Sequence, residues 1–532
     1  MVKKDKLHEL ISSLSMSEKR YFKLFANRTN NAIKRKNYVQ LFDCIGNLTV
    51  YDEKELQAAL DAAKLPTHHI ASDKNYLYQL VLRSLGDYHT NNSSSLKVKN
   101  FIAYAEILYS KALYKQCLLQ LKKAEKLAKS FDLFALQLEI MRWERKAKGA
   151  TLDYLKISTD SSFGAFDEVL TQLTNYDAYN DLYYKAMYLR KKRNKIRNTA
   201  AITEFDELMA YPLLSDDCKA LSKAAKIRYY EIYASYYYSI DDKIKEYACN
   251  KKLLEIMRSD LVYLKEYIQN YIAVYSRLLY SQSFIEPHLF NETLARFRAI
   301  PQEIGQVKIP LQAQIFVLSY GVAFNTLIRS NKFSQALTLV PSVEKGLLQY
   351  QDYIVEEYRM NLYYRFAYAY IVVADYNNGL NYINTILNDF SETVRPDVFD
   401  FAKIMQVIAH YELGNYKLLP YLISGTHTFL KKRKRLHKAE KLLLKFFQRL
   451  VRQNRLHEKN EDLWNDLYLK FKAIVENPLE QRMLNYFDLL SWIEGKKKRK
   501  TMLTIIRTRS NQEKQQLILD EEVLSLPKNL DD

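Results

Sequence analysis

The chain has 532 residues, a net charge of +19 and hydrophobic side chains at 48% of its positions. This length exceeds what one hydrophobic core usually supports, so we expect several domains or an elongated repeat array. The hydrophobic fraction is high enough for a buried core, so we do not expect a disordered chain. Glycine and proline are scarce, at 11 and 10 residues; because tight strand connections depend on glycine, this composition excludes a large sheet and favours an all-α fold.

The expected location follows from what the sequence lacks. No apolar segment follows the charged N-terminus, so we expect no secretory signal. The longest apolar run, Phe366 to Ala374, is far shorter than the roughly 18 residues that span a bilayer. Four scattered cysteines form no disulfide framework. We therefore expect a cytoplasmic protein without membrane insertion.

Residues 1–88 are predicted to form an N-terminal helical module. Ser15 and Glu18 have the spacing of a capping box at a helix start. The stretch Leu7 to Phe25 resembles the opening of large uncharacterised bacterial helical proteins, and this resemblance implies no activity.

Residues 52–86 of this module predict two helices joined by a turn through Pro66. The arrangement is similar to a helix-turn-helix, although a connection of roughly ten residues is longer than that motif's usual three or four. A small helical bundle would give the same pattern. If the segment binds DNA, the candidate contact residues are Lys74, Asn75, Tyr78 and Arg83.

A polar linker is predicted at residues 89–95, and a repeat array at residues 96–475. Four stretches of this array look alike, because each carries an aromatic residue, followed in most by a small residue three positions later, between two apolar-periodic segments. They begin at Ala112, Asn331, Ala374 and Gly414.

Two of these stretches match a longer template at identical spacing. One comprises Phe101, Ala105, Leu108, Tyr114, Cys117, Leu121 and Ala124, and the other Tyr363, Ala367, Tyr370, Tyr376, Gly379, Ile383 and Ile386. This pattern resembles the tetratricopeptide repeat, in which small residues let two helices approach closely. The resemblance implies a right-handed α-solenoid of antiparallel helix pairs. The repeats here span 40 residues or more instead of 34, so we expect an irregular array of about nine pairs with long helices.

The array is predicted to end in a C-terminal capping helix at residues 476–495. Residues 496–532 begin with five basic residues and continue as a polar sequence. We expect this tail to be loosely ordered.

Tyrosine is unusually common, with 43 residues against 24 phenylalanines. Several tyrosines recur every three or four residues, which places them along one stripe of a helix. Two interpretations are open: packing between helices with hydroxyls at the rim, or anchoring of a bound peptide in the concave groove. The candidate protein-binding residues are Tyr229, Tyr233, Tyr236, Tyr263, Tyr267, Tyr271, Tyr364 and Tyr368.

Basic residues cluster at 190–197, 431–459 and 496–500. Solvated helix faces explain such clusters most simply. The alternative is a surface that contacts phosphates or an acidic partner, with strongly salt-dependent binding.

No phosphate-binding loop, nucleophile motif or zinc-protease motif occurs in the sequence. The histidines and cysteines lack metal-ligand spacing. We therefore predict a non-enzymatic protein without cofactor, metal or catalytic residues. The favoured function is a scaffold that binds a protein or peptide, and the alternative is a nucleic-acid-binding regulator whose repeats sense a ligand.

Overall fold

The computed structural model describes residues 5–28, 32–48, 51–66, 68–90, 93–151, 162–193, 199–305, 308–456 and 461–510. Within these ranges helices are the only regular secondary structure. The predicted all-α fold is thus confirmed.

The chain forms two compact units, Met1–Thr174 and Asn175–Asp532. The division falls inside one long helix. The helices of the first unit are α1 (Lys6–Ser13), α2 (Met16–Arg28), α3 (Ala32–Gly46), α4 (Glu53–Ala62), α5 (Ile70–Thr90), α6 (Ser94–Ser110), α7 (Tyr114–Ser130) and α8 (Phe134–Ala150), and α9 (Ser162–Arg193) crosses into the second unit.

Side-chain caps define the first helices. The Asp5 carboxylate accepts hydrogen bonds from the backbone N–H groups of Leu7 and His8, each at 3.0 Å, and so caps α1. The predicted capping box is confirmed at the start of α2: the Ser15 backbone N–H donates to Glu18 at 2.7 Å, and the Glu18 backbone N–H donates to the Ser15 hydroxyl at 3.3 Å. These bonds satisfy donors that a helix start leaves without partners.

Two separate hydrophobic clusters lie in the first unit. Helices α1 to α5 bury the first around Ile11, Phe22 and Leu77. Helices α6 to α8 bury the second around Ala105, Cys117 and other small or branched residues.

The second unit continues as a succession of helices, most of which pack on a sequence neighbour. They are α10 (Thr199–Met209), α11 (Lys223–Ile240), α12 (Lys243–Arg258), α13 (Leu261–Glu266), α14 (Ile268–Ile285), α15 (Phe290–Glu303), α16 (Ile309–Arg329), α17 (Phe333–Thr338), α18 (Val340–Gln349), α19 (Glu356–Val372), α20 (Tyr376–Asp389), α21 (Pro396–Glu412), α22 (Leu419–Lys432), α23 (Lys438–Arg452), α24 (Glu461–Val475), α25 (Pro478–Gln481) and α26 (Leu489–Lys498). Helices α14, α16, α19 and α21 also pack one against the next, although each is separated from the next along the chain by one or more other helices. This arrangement is compatible with a helical repeat solenoid.

The four similar stretches all form the same turn. Their first residues, Ala112, Asn331, Ala374 and Gly414, have φ angles of 56°, 58°, 65° and 74°. In each, the next backbone N–H bonds to the carbonyl five residues earlier, at 2.9–3.0 Å. This is the Schellman ending of a helix, in which a left-handed residue satisfies the last carbonyls. Three of the four turns use a residue other than glycine at this position.

The small residues of the template lie where two helices meet. Ala105 and Cys117, and likewise Ala367, are inaccessible to solvent. A Cβ atom added to Gly379 would lie 3.0 Å from Cγ1 of Ile371 in the preceding helix, so the glycine permits close approach. The structure therefore supports the packing role assigned to these positions.

The segment between α24 and α26 returns to earlier helices of the same unit. Its 3-10 turn, Arg482–Asn485, precedes Tyr486, whose ring stacks on Phe401 with centroids 4.8 Å apart. The Arg482 guanidinium donates to the carbonyl of Ile240 at 3.0 Å. These contacts join parts of the chain about 240 residues apart.

Part of the expected tail is helical. Residues 502–510 form a helix that buries Met502 and Ile505, and Arg509 pairs with Glu494 of α26. Residues 511–532 lie outside the described ranges.

Helix α16 (Ile309–Arg329) is long and apolar enough to span a bilayer, with a mean hydropathy of 1.4 over its most apolar window. Core helices of soluble proteins meet the same criterion, and 44% of this window is buried inside the structure. The helix is therefore weak evidence for a membrane segment.

Candidate functional site

The candidate tyrosines of α11 use their hydroxyl groups within the protein. Tyr233 donates to the carbonyl of Leu214 at 2.6 Å, and Tyr236 donates to the carboxylate of Asp206 at 2.9 Å. The rings of Tyr229 and Tyr233 lie 4.8 Å apart. Burial raises the pKa of Tyr229. All three side chains are half-buried and hold α11 against the preceding segment.

The candidate tyrosines that follow do not form one continuous stripe, because the helix is interrupted at Tyr267, between α13 and α14. Tyr263 packs against the Tyr267 ring, with centroids 4.5 Å apart. Tyr271 is only 2% exposed, and its hydroxyl accepts a hydrogen bond from Arg258. Its ring therefore packs between helices and has almost no surface to offer a partner.

The last two candidate tyrosines lie on α19 and are covered by the C-terminal segment. The Tyr364 hydroxyl donates to the carbonyl of Tyr486 at 3.0 Å. The Tyr368 ring packs against Phe487, with centroids 5.5 Å apart. These contacts are internal to the unit.

The DNA-binding candidates on α5 are placed differently from one another. Lys74 pairs with Asp5 and donates to the Tyr51 hydroxyl at 2.9 Å, so its charge is already matched. Tyr78 packs against the core of α1 to α5, whereas Asn75 and Arg83 are exposed. The alternative function thus has two of its four residues at the surface, and it stays a prediction.

The basic clusters are partly matched by carboxylates. In the cluster at 496–500, Lys496 bonds to Glu412 at 2.7 Å and Arg499 to Glu461 at 3.0 Å. In the cluster at 431–459, Arg435 bonds to Asp400 at 3.2 Å; residues 457–460 lie outside the described ranges. In the cluster at 190–197, residues 194–197 also lie outside them.

One group of possible metal ligands occurs among the described residues, at Asp216, Asp217 and Cys218. Its oxygen atoms already accept hydrogen bonds: Asp216 from the Cys218 backbone N–H at 2.8 Å, and Asp217 from the Tyr230 hydroxyl at 2.6 Å. Exposed acidic groups of this kind are common without an ion, and we assign no metal to it.

A cavity of about 200 Å³ with both polar and apolar lining lies within the second unit, and residues of α9, α11, α12, α14, α16 and α19 line it. None of the twelve residues selected from the sequence lines it. Its walls carry three arginines, Arg190, Arg277 and Arg365, on three different helices. Three tyrosines, two asparagines, a serine and a glutamate complete its polar lining, namely Tyr238, Tyr280, Tyr358, Asn325, Asn361, Ser276 and Glu246.

The two acidic residues beside these arginines have partners of their own. Glu246 bonds to Lys243 at 2.7 Å. Glu231 bonds to Arg228 at 2.7 Å and lies 3.9 Å from Arg277. The cavity wall therefore has an excess of positive charge.

Burial affects the ionisation of this site. It lowers the pKa of Arg277, although Glu231 acts in the opposite direction, and it lowers the pKa of Arg365 to about 10. Arg365 donates one hydrogen bond to the carbonyl of Gly321, and Arg190 lies over the Tyr238 ring, 4.8 Å from its centroid. Buried charges with shifted pKa values are a feature of functional sites.

A weak sequence signal for this cavity did exist. Arg277 is the only charged residue of α14 (Ile268–Ile285), and Arg365 lies in the apolar half of α19. A lone cation in an otherwise uncharged helix needs a partner or a polar cavity. Arg190 gave no such signal because it belongs to a basic run.

No family model, curated protein or solved structure matches this chain. The likeness to tetratricopeptide repeats therefore rests on the residues of the template, the shared turns and the packing of neighbouring helices.

Proposed function

We propose that the protein is a non-enzymatic, cytoplasmic scaffold that binds a protein or peptide segment of acidic character. In this proposal the second unit belongs to a right-handed solenoid of antiparallel, tetratricopeptide-like helix pairs. Helices α14, α16 and α19 form its binding face. The observation that carries the proposal is the positively charged cavity that these helices share.

The cavity combines features that suit recognition of an acidic side chain. Guanidinium groups offer five donors in a fixed geometry and pair well with carboxylates. Tyrosine rings give a partner rigid contact area at a small loss of conformational entropy. A volume of about 200 Å³ holds one side chain, so the remainder of the segment would lie along the neighbouring helix surface.

Binding is favoured over catalysis because neither the carboxylate nor the arginines of the lining are suited to act as a general base. Glu246 carries the carboxylate among the described residues that line the cavity, and this carboxylate is already bonded to Lys243. A general base needs an accessible lone pair close to the substrate. The arginines cannot serve as bases at neutral pH.

The experiment is a selection from a displayed library of random peptides on the immobilised full chain, followed by fluorescence anisotropy with the enriched peptides. We expect enrichment of Asp and Glu. The Arg277→Gln variant should weaken binding by about tenfold or more, as for loss of a buried charge pair. The matched control is Arg296→Gln, because Arg296 is exposed on α15 and does not line the cavity.

A salt series adds a second measurement, because a charge-dependent interaction weakens as ionic strength rises. The proposal fails if no peptide is enriched, or if enriched peptides bind wild type and Arg277→Gln equally well.

A further inference from the structure

The three arginines of the cavity carry more positive charge than the carboxylates beside them balance. Glu231 lies 3.9 Å from Arg277 but is itself bonded to Arg228 at 2.7 Å. The lining carries Arg190, Arg277 and Arg365 against one carboxylate, Glu246, which Lys243 already neutralises. A buried charge is stable only when it is paired or hydrogen-bonded. The protein thus places three positively charged side chains around a space large enough for a ligand.

Arg277 supplies an independent sign of a missing partner. Its Nε atom is buried and has no hydrogen-bond partner among the described residues. Buried polar atoms are nearly always satisfied, and an exception calls for an explanation such as a ligand. A bound anion would accept from this atom.

We infer that the cavity binds a phosphoryl group, and this inference rests on the proposed function for the segment that would carry the group. A carboxylate would balance one guanidinium only. A phosphate monoester carries nearly two negative charges at neutral pH and three terminal acceptor oxygens. It therefore suits a cavity lined by arginines of α9, α14 and α19, in which the amides of Asn325 and Asn361 are further donors.

The experiment uses isothermal titration calorimetry on the full chain with three probes at constant ionic strength: inorganic phosphate, phenyl phosphate and acetate. We expect both phosphates to bind the wild type, and acetate to bind at least tenfold more weakly. Arg277→Met should reduce phosphate affinity tenfold or more, whereas the exposed control Arg296→Met should leave it unchanged.

Thermal melting separates a binding role of Arg277 from a structural one. In phosphate-free buffer Arg277→Met should melt at or above the wild-type temperature, because methionine removes a half-buried charge whose Nε atom has no acceptor. Phosphate should raise the melting temperature of the wild type and not that of the variant. The inference is overturned if phosphate stabilises both equally, if acetate matches phosphate, or if Arg277→Met melts lower without phosphate. Arg365→Met provides a second variant with the same expected loss of phosphate binding.

A last comparison distinguishes free phosphate from a phosphorylated side chain. A library-selected acidic peptide is synthesised with phosphoserine in place of one acidic residue and compared with its serine form. Tighter binding of the phosphorylated form, lost in Arg277→Met, supports the inference together with the proposed function. Binding of inorganic phosphate without any peptide binding supports the phosphoryl site and refutes the peptide scaffold. Acidic peptides that bind through Arg277 but are not displaced by either phosphate refute the inference and leave the scaffold proposal standing.

Discussion

The left-handed residue that ends α6 offers a test of the repeated turn. Ala112 is exposed and has a φ of 56°, and the turn is closed by a 2.9 Å bond from the Leu113 backbone N–H to the carbonyl of Leu108. A left-handed conformation costs an L-residue about 1–2 kcal/mol, and glycine adopts it without this penalty. The greater flexibility of glycine in the unfolded chain offsets about 0.4–1 kcal/mol. Ala112→Gly should therefore stabilise the local structure by about 0.5–1 kcal/mol.

The matched control is Ala103→Gly in the same helix. Ala103 is also exposed but lies in the interior of α6, where glycine costs about 1 kcal/mol relative to alanine. Replacing alanine by glycine is thus expected to stabilise the turn at position 112 and to destabilise the helix at position 103.

Native-state hydrogen exchange, measured on peptides from α6 and α7, is the suitable assay, because the stability of repeat arrays is largely local. A gain of 0.5–1 kcal/mol corresponds to about two- to fivefold slower exchange. Faster exchange in Ala112→Gly, comparable to that of Ala103→Gly, would refute a left-handed turn at this position.

Three further predictions concern single side chains of the second unit. Tyr271→Ala should reduce the free energy of unfolding by about 3–5 kcal/mol, as for other buried aromatic rings. Tyr271→Phe should reduce it by only about 0.5–1.5 kcal/mol, because Arg258, which loses its hydrogen-bond partner, is exposed and can be hydrated. Burial raises the pKa of Asp400 to about 7, from an ordinary value of 3.8. Its contribution to stability is therefore fully present below about pH 4 and is lost as the pH rises through about 7, and Asp400→Asn should flatten this part of the melting-temperature profile. Glu412→Ala should cost about 1–3 kcal/mol, because it leaves the buried Trp492 indole N–H, now bonded at 2.7 Å, without an acceptor.

Each of these predictions has a contrary outcome. An unchanged melting temperature for Tyr271→Ala would show that the ring is not packed. The charged neighbours that also act on Asp400 are Arg435, Asp397 and Glu440. Equal pH profiles of the melting temperature for wild type and Asp400→Asn would show that another group causes the pH dependence. Unchanged tryptophan fluorescence and stability in Glu412→Ala would contradict the indole bond. An exposed substitution, Arg296→Gln, serves as the common control.

The sequence by itself determined the features that depend on neighbours a few residues away. Scarce glycine and proline indicated the all-α fold, the Ser15–Glu18 spacing indicated a helix start, and the recurring aromatic and small residues marked the turns. The helix start and the turns are local: a capping bond spans three residues, and the Schellman bond spans five. Even so, the left-handed residues at Ala112 and Ala374 were not identifiable as such, because alanine rarely adopts this conformation.

Only the tertiary structure decided which side chains share a site. The periodicity of Tyr263, Tyr267 and Tyr271 predicted a helix face. In the structure the helix is interrupted at Tyr267, and Tyr271 is buried by packing between helices. The cavity joins Arg190 to Arg365, residues 175 positions apart. Such proximity depends on the order and spacing of six helices. The apolar sequence around Arg365 indicates a need for a partner or a polar cavity, but not that Arg190 shares that cavity. The physical reason is that burial and charge excess are properties of the assembled helices, whereas helix ends are properties of the local chain.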